Sequence, residues 1–67
     1  MVGDTVFTIN AKTRTVDRWT CAGMFHGLYQ GKNELLCELK NGKKWVILPY
    51  RCVFTTEKEA TDRMTSN

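Results

Sequence analysis

Residues 34–48 read Glu34-Leu35-Leu36-Cys37-Glu38-Leu39-Lys40-Asn41-Gly42-Lys43-Lys44-Trp45-Val46-Ile47-Leu48. Two apolar-rich runs meet at Asn-Gly, the strongest short hairpin signal, because both residues accept the positive φ of a type I′ turn. A two-residue Asn41-Gly42 loop sets a register. Lys40 then faces Lys43, Glu38 faces Trp45 and Leu36 faces Ile47; on the other side Leu39 faces Lys44, Cys37 faces Val46 and Leu35 faces Leu48. A slip of one residue would send every side chain to the opposite face, so the pattern carries information. The face of Leu35, Cys37, Val46 and Leu48 is uniformly apolar and is expected to line an interior. The other face mixes Leu36, Trp45 and Ile47 with Glu38, Lys40 and Lys43. Something must cover that second face, or it stands as an exposed apolar patch of the kind that marks an interface.

Before the hairpin the chain reads as short strands and turns. Gly3-Asp4 opens a strand over Thr5 to Ile9, rich in β-branched and aromatic residues. Asn10 to Arg14 is polar and turn-like. A second strand runs from Thr15 to Phe25, with Trp19, Cys21, Gly23 and Phe25 on one face if strict alternation holds. Gly23 beside Met24 is a candidate bulge, since Gly accepts the backbone angles a bulge requires. His26 to Asn33, with two glycines, reads as a loop. After the hairpin, Pro49-Tyr50-Arg51 breaks the ladder because Pro has no N–H to donate. Cys52-Val53-Phe54 reads as a last short strand. Thr56-Glu57-Lys58-Glu59 fits a capping box, which predicts a helix to about Met64. Residues 1–64 are thus expected to form one domain, with 65–67 a frayed tail.

Sixty-seven residues make one domain at most. A chain this short buries roughly 60% of the surface its unfolded form exposes. Its core supplies ~3–5 kcal/mol net, so small scaffolds often carry a staple. The three cysteines, Cys21, Cys37 and Cys52, are odd in number and include no C-x-x-C pair. They read as reduced apolar fillers rather than as a disulfide or metal set. One histidine, His26, does not complete a zinc site with thiols so scattered. Residues 1–20 lack a basic segment followed by an apolar one, and no apolar run approaches the ~18 residues of a membrane span. A cytoplasmic, reducing setting is the expectation.

In its order of elements the sequence resembles small SH3-like barrels of the KOW/Tudor-like kind. The residues that carry the resemblance are Gly3-Asp4-Thr5-Val6, the long second strand around Trp19 and Gly23, the Asn41-Gly42 hairpin, and Pro49-Tyr50-Arg51 before a closing strand. The ending from Val53 to Ala60 resembles that of short proteins encoded by phages and bacterial mobile elements. The resemblance implies a mainly β fold, a small five-stranded barrel with a short C-terminal helix, and a binding role without catalytic residues. It also implies a protein partner, such as a host enzyme or defence factor that the chain inhibits by occlusion. The Ala-Leu-Tyr-Asp-Tyr signature of peptide-binding SH3 domains is absent.

Three binding readings follow. Leu36, Trp45, Ile47 and Tyr50 are the candidate protein-binding residues. If the helix covers this face through Ala60 and Met64 the patch disappears; if a second copy covers it, the chain is a structural homodimer. The third reading is nucleic acid. Lys12, Arg14, Arg18, Lys40, Lys43, Lys44 and Arg51 alternate with Trp19, Trp45 and Tyr50, and basic groups beside stacking rings hold nucleic-acid strands on small barrels. The net charge of +3 is modest for such a role. It is uneven: residues 1–54 hold eight Lys/Arg against four Asp/Glu, and residues 55–67 two against three. Catalysis needs a nucleophile beside a base, or paired carboxylates in a pocket. Asp4, Asp17, Glu34 and Glu38 are scattered, and a barrel this small has a packed interior. No enzymatic activity, cofactor or metal is expected.

Overall fold

A computed structural model describes residues 2–66. Four antiparallel strands, β1 (Thr5–Asn10), β2 (Thr15–Tyr29), β3 (Lys32–Asn41) and β4 (Lys44–Pro49), form one sheet in the order β1-β2-β3-β4. A 3-10 turn over Tyr50–Cys52 and a helix, α1 (Glu57–Thr65), follow. The fold is mainly β, as expected, but the sheet is not closed and four strands replace the expected five. The segment read as a last strand enters the 3-10 turn, where Val53 donates to the Tyr50 carbonyl at 3.0 Å. Only Phe54 bridges to β1, exchanging two 2.8 Å backbone bonds with Phe7.

The stretch expected to be a loop, His26 to Asn33, is a second hairpin. Tyr29 pairs with Lys32 across Gln30 and Gly31, whose φ values are +53° and +84°. Both central residues in the left-handed region is the φ signature of type I′. At the β3–β4 turn only Gly42 has a positive φ, +61°, and the loop is Gly42-Lys43 rather than Asn41-Gly42. Gly at the first central position is the φ signature of type II′. The register therefore differs from the expected one: Asn41 pairs with Lys44, Lys40 with Trp45, Leu39 with Val46, Glu38 with Ile47, Cys37 with Leu48 and Leu36 with Pro49. One strand has slid past the other by two residues. A two-residue slide preserves the face of every side chain, so the expected division into two faces survives.

A β-bulge lies between Cys21 and Gly23: Cys21 pairs with Leu39 and Gly23 with Glu38, leaving Ala22 as the extra residue. The bulge overturns the expectation that Trp19, Cys21, Gly23 and Phe25 share a face. Trp19 and Cys21 point into the core, while Gly23 and Phe25 share the outer face with Glu38 and Leu36. The core consists of Val6, Trp19, Cys21, Cys37 and Leu39, with Met24, Val46, Leu48 and Val53 packed on it. Of the four residues expected inside, Cys37, Val46 and Leu48 are there, whereas half-buried Leu35 lies outside this cluster.

The helix begins at the expected N-cap with one half of the expected capping box, and the Glu59 carboxylate takes hydroxyl donors in place of the Thr56 N–H. Thr56 Oγ1 accepts the Glu59 N–H at 3.1 Å, and the Glu59 carboxylate is met by the Thr55 and Thr56 hydroxyls at 2.9 and 3.0 Å. Ala60 is fully buried, and α1 packs against β1 and β2. Thr65 and Ser66, expected in the tail, hydrogen-bond to the Thr61 and Asp62 carbonyls; Asn67 lies outside the described residues.

One polar contact is sealed in the core: the Trp19 indole N–H donates to Thr8 Oγ1 at 2.8 Å. Trp19→Phe leaves the buried hydroxyl without its donor and is expected to cost about 1–3 kcal/mol. Thr8→Val in that background should recover part of the loss, because both polar groups are then gone. Urea unfolding of the four proteins checks this, and strictly additive losses would show that the bond is not coupled.

Candidate interaction surface

Three cross-strand rows build the outer face. Thr20, Lys40 and Trp45 form the first, Gly23, Glu38 and Ile47 the second, and Phe25, Leu36 and Pro49 the third. Trp45 is 57% exposed, Ile47 46% and Phe25 41%, while Leu36 and Pro49 on the same face are buried. Tyr50, which follows Pro49, is also exposed. Space at Gly27 is tight: an added Cβ would lie 3.3 Å from both the Phe25 ring and Leu36 Cδ1. Phe25 and Leu36 thus meet over the Gly27 backbone, which keeps the third row compact.

This geometry corrects the expected site in two ways. Leu36 is buried between its row neighbours Phe25 and Pro49, so it offers a partner no surface. The helix does not cover the face, because α1 packs on the β1 and β2 side. Trp45, Ile47 and Tyr50 are at the surface where the sequence placed them. Phe25 was missed, since strict alternation put it on one face with Trp19 and Cys21, which lie in the core; the signal that could have found it was Gly23, the bulge candidate, which resets the alternation.

The basic residues separate into three groups. Arg18, Lys40, Lys43 and Lys44, all exposed, gather at the β3–β4 turn. Asn41 Nδ2 donates to the Arg18 carbonyl at 3.1 Å, and a shallow cleft runs between Arg18, Thr20, Lys40 and Gly42. The Lys40 ammonium lies 5.8 Å from the centre of the Trp45 ring, a cation–π contact. Lys12 and Arg14 sit apart on the β1–β2 loop. Thr15 lies beside that loop and Arg18 beside the turn, about 10 Å apart at the ~3.3 Å rise per strand residue. Arg51 pairs with Glu34 at 3.0 Å and belongs to neither group. The hydrogen bond and charge of Glu34 raise the Arg51 guanidinium pKa above its ordinary value.

Among the described residues no three His, Cys, Asp or Glu side chains gather into a metal-holding group, and no helix is long and apolar enough to cross a membrane. His26 is an exposed strand residue opposite Leu35. All three cysteines are free; Cys21 and Cys37 are buried and Cys52 is half-buried. Burial, and then the neighbouring Cys21 thiol, push the Cys37 pKa up. No family model, curated protein or solved structure matches this chain.

The thiols give a check on the core. A disulfide-exchange reagent should label Cys52 in the native protein, and Cys21 and Cys37 only as it unfolds. Below the ordinary thiol value of 9.0 Cys37 is neutral in both states and adds no pH dependence. As pH rises past it, the unfolded chain loses that proton while the native core holds it, so stability falls. Urea unfolding at about pH 8 and about pH 10 should show a larger alkaline loss in the wild type than in Cys37→Ala. Equal losses would place the Cys37 thiol in water.

Proposed function

We propose that this chain is a small, non-catalytic protein-binding module, a half-open relative of the SH3-like barrel whose Phe54 bridge stands where a closing strand would run. The observation that carries the reading is the outer face: Trp45 and Ile47 are exposed at successive outward positions of β4, Phe25 is exposed on the same face of β2, and Tyr50 is exposed next in sequence to Pro49. Isolated exposed apolar residues are ordinary, but contiguous ones rimmed by charge mark interaction sites. Tryptophan and tyrosine are the commonest anchors of protein interfaces. The sequence resemblance supports a host enzyme or defence factor as partner and inhibition by occlusion as the effect.

The test is co-purification from host lysate on the immobilised chain, with Trp45→Glu as the decisive variant. Its side chain is more than half exposed, so the fold should survive. Loss of an aromatic anchor costs about 2 kcal/mol or more, roughly a thirtyfold drop in affinity. A partner retained equally by Trp45→Glu and wild type would sink this reading.

A nucleic-acid role has one observation in its favour, the grouping of Arg18, Lys40, Lys43 and Lys44 beside the Trp45 ring. It predicts a mobility shift with DNA or RNA that collapses as salt rises, since phosphate contacts release counterions. The absence of any shift at ~50 mM salt would remove this alternative.

A further inference from the structure

β4 is an outer strand: β3 pairs with one of its edges, and among the described residues no backbone group pairs with the other. The turn fixes which peptide groups face outward. Beside a two-residue hairpin loop the flanking residues form a hydrogen-bonded pair, and bonded and non-bonded pairs alternate from there. Asn41 with Lys44, Leu39 with Val46, and Cys37 with Leu48 are therefore the bonded pairs. The N–H and C=O groups of Trp45 and Ile47 point away from β3. Pro49 occupies the next outward position, where a missing N–H costs the hairpin nothing.

The same two residues present exposed apolar side chains on the outer face. Unpaired peptide groups beside exposed apolar side chains make a template for another strand. Charge chooses the occupant. Arg18, Lys40, Lys43 and Lys44 surround the start of this edge, and the one carboxylate in the rows facing it is half-buried Glu38. A second copy carries the same four cations and brings no acidic cluster to meet them, whereas an acidic segment supplies the opposite charge.

We propose that β4 accepts an extended acidic segment of the partner protein as an added strand. Its main chain bonds to Trp45 and Ile47, its outward apolar side chains lie against Trp45 and Ile47, and acidic residues at its end beside the β3–β4 turn meet Lys40, Lys43 and Lys44. This rests on the protein-binding reading and narrows it to a mode of docking.

The probe is a short synthetic peptide with a valine-threonine stretch flanked by glutamates at both ends, compared with its lysine-flanked counterpart and a single-stranded oligonucleotide. The acidic peptide should bind at low salt and slow hydrogen exchange at the Trp45 and Ile47 amides by roughly tenfold, as a newly made backbone bond does. Ile47→Pro removes one outward donor without touching the β3 ladder, whereas Ile47→Val keeps it. Binding should be roughly tenfold weaker in Ile47→Pro than in Ile47→Val, the effect of one orphaned hydrogen-bond partner. The exchange measurement uses the wild-type chain and does not depend on Ile47→Pro folding. No binding of the acidic peptide, or binding without protection of those two amides, overturns the proposal. If a captured partner needs Trp45 yet binds Ile47→Pro and Ile47→Val equally, strand addition fails while the protein-binding reading stands. Binding of the oligonucleotide in place of the acidic peptide, with no Trp45-dependent protein captured, overturns both.

Discussion

The one extra residue in β2 is the constraint on which the rest of the molecule depends. β2 is 15 residues long and serves two neighbours in succession: Thr15 to Thr20 pair with β1, and Thr20 to Tyr29 pair with β3. Alternation carried unbroken along such a strand would send Trp19, Cys21, Gly23 and Phe25 to the same side. The bulge at Ala22 resets it, so that Trp19, Cys21 and then Met24 face the core while Gly23 and Phe25 face out. A bulge also bends its strand and increases the local twist. The Cys21 thiol donates across it to the Gly23 carbonyl at 3.6 Å, using a buried weak donor where the ladder is interrupted. The composition of both faces follows from that single insertion.

The two edges of the sheet are finished differently. Phe54 bonds along the outer edge of β1, and α1 packs against β1 and β2 through Ala60. At the other edge β4 ends in Pro49, and the chain turns away over Tyr50–Cys52. Cover for the sheet is thus concentrated on its β1 side. The β3–β4 hairpin, apolar on both faces, keeps one face in the core and carries on the other the buried Leu36 and Pro49 beside the exposed Trp45 and Ile47. Exposure of Trp45 and Ile47 results from where the helix goes, not from any shortage of apolar residues to hide them.

Much of this was legible in the sequence, and the misses have physical causes. The two faces of the hairpin were read correctly although the register was not, because a two-residue slide conserves alternation. The error lay in the turn. Asn-Gly favours type I′ locally, but here Asn41 ends β3 and uses its side-chain amide to hold the Arg18 carbonyl. The turn with type I′ signature falls at Gln30-Gly31, where Gln30 adopts a φ of +53° that its side chain does not advertise. Gly27 looked like a loop residue because a glycine's role in packing depends on which side chains crowd it, here Phe25 and Leu36. The helix was legible because its signal, Thr56 with Glu59, is local. The burial of Leu36 and the separation of Arg51 from the other cations depend on partners distant in sequence, Pro49 and Glu34, which spacing alone does not reveal.

The cations around the β3–β4 turn have a role that exposure alone does not convey. An open strand edge with apolar side chains invites self-association, and lysines placed on it are a common guard. With a net charge of +3 on each copy, approach through this end is opposed before any contact forms. The opposition acts over about a Debye length, ~8 Å at physiological salt. The same field draws in an opposite charge: clustered charge of one sign raises the encounter rate of an acidic partner as it lowers that of a second copy. Solubility and selectivity are therefore not competing explanations of Lys40, Lys43 and Lys44. Both come from one charge distribution, set beside the two peptide groups of β4 that the fold leaves without a neighbour.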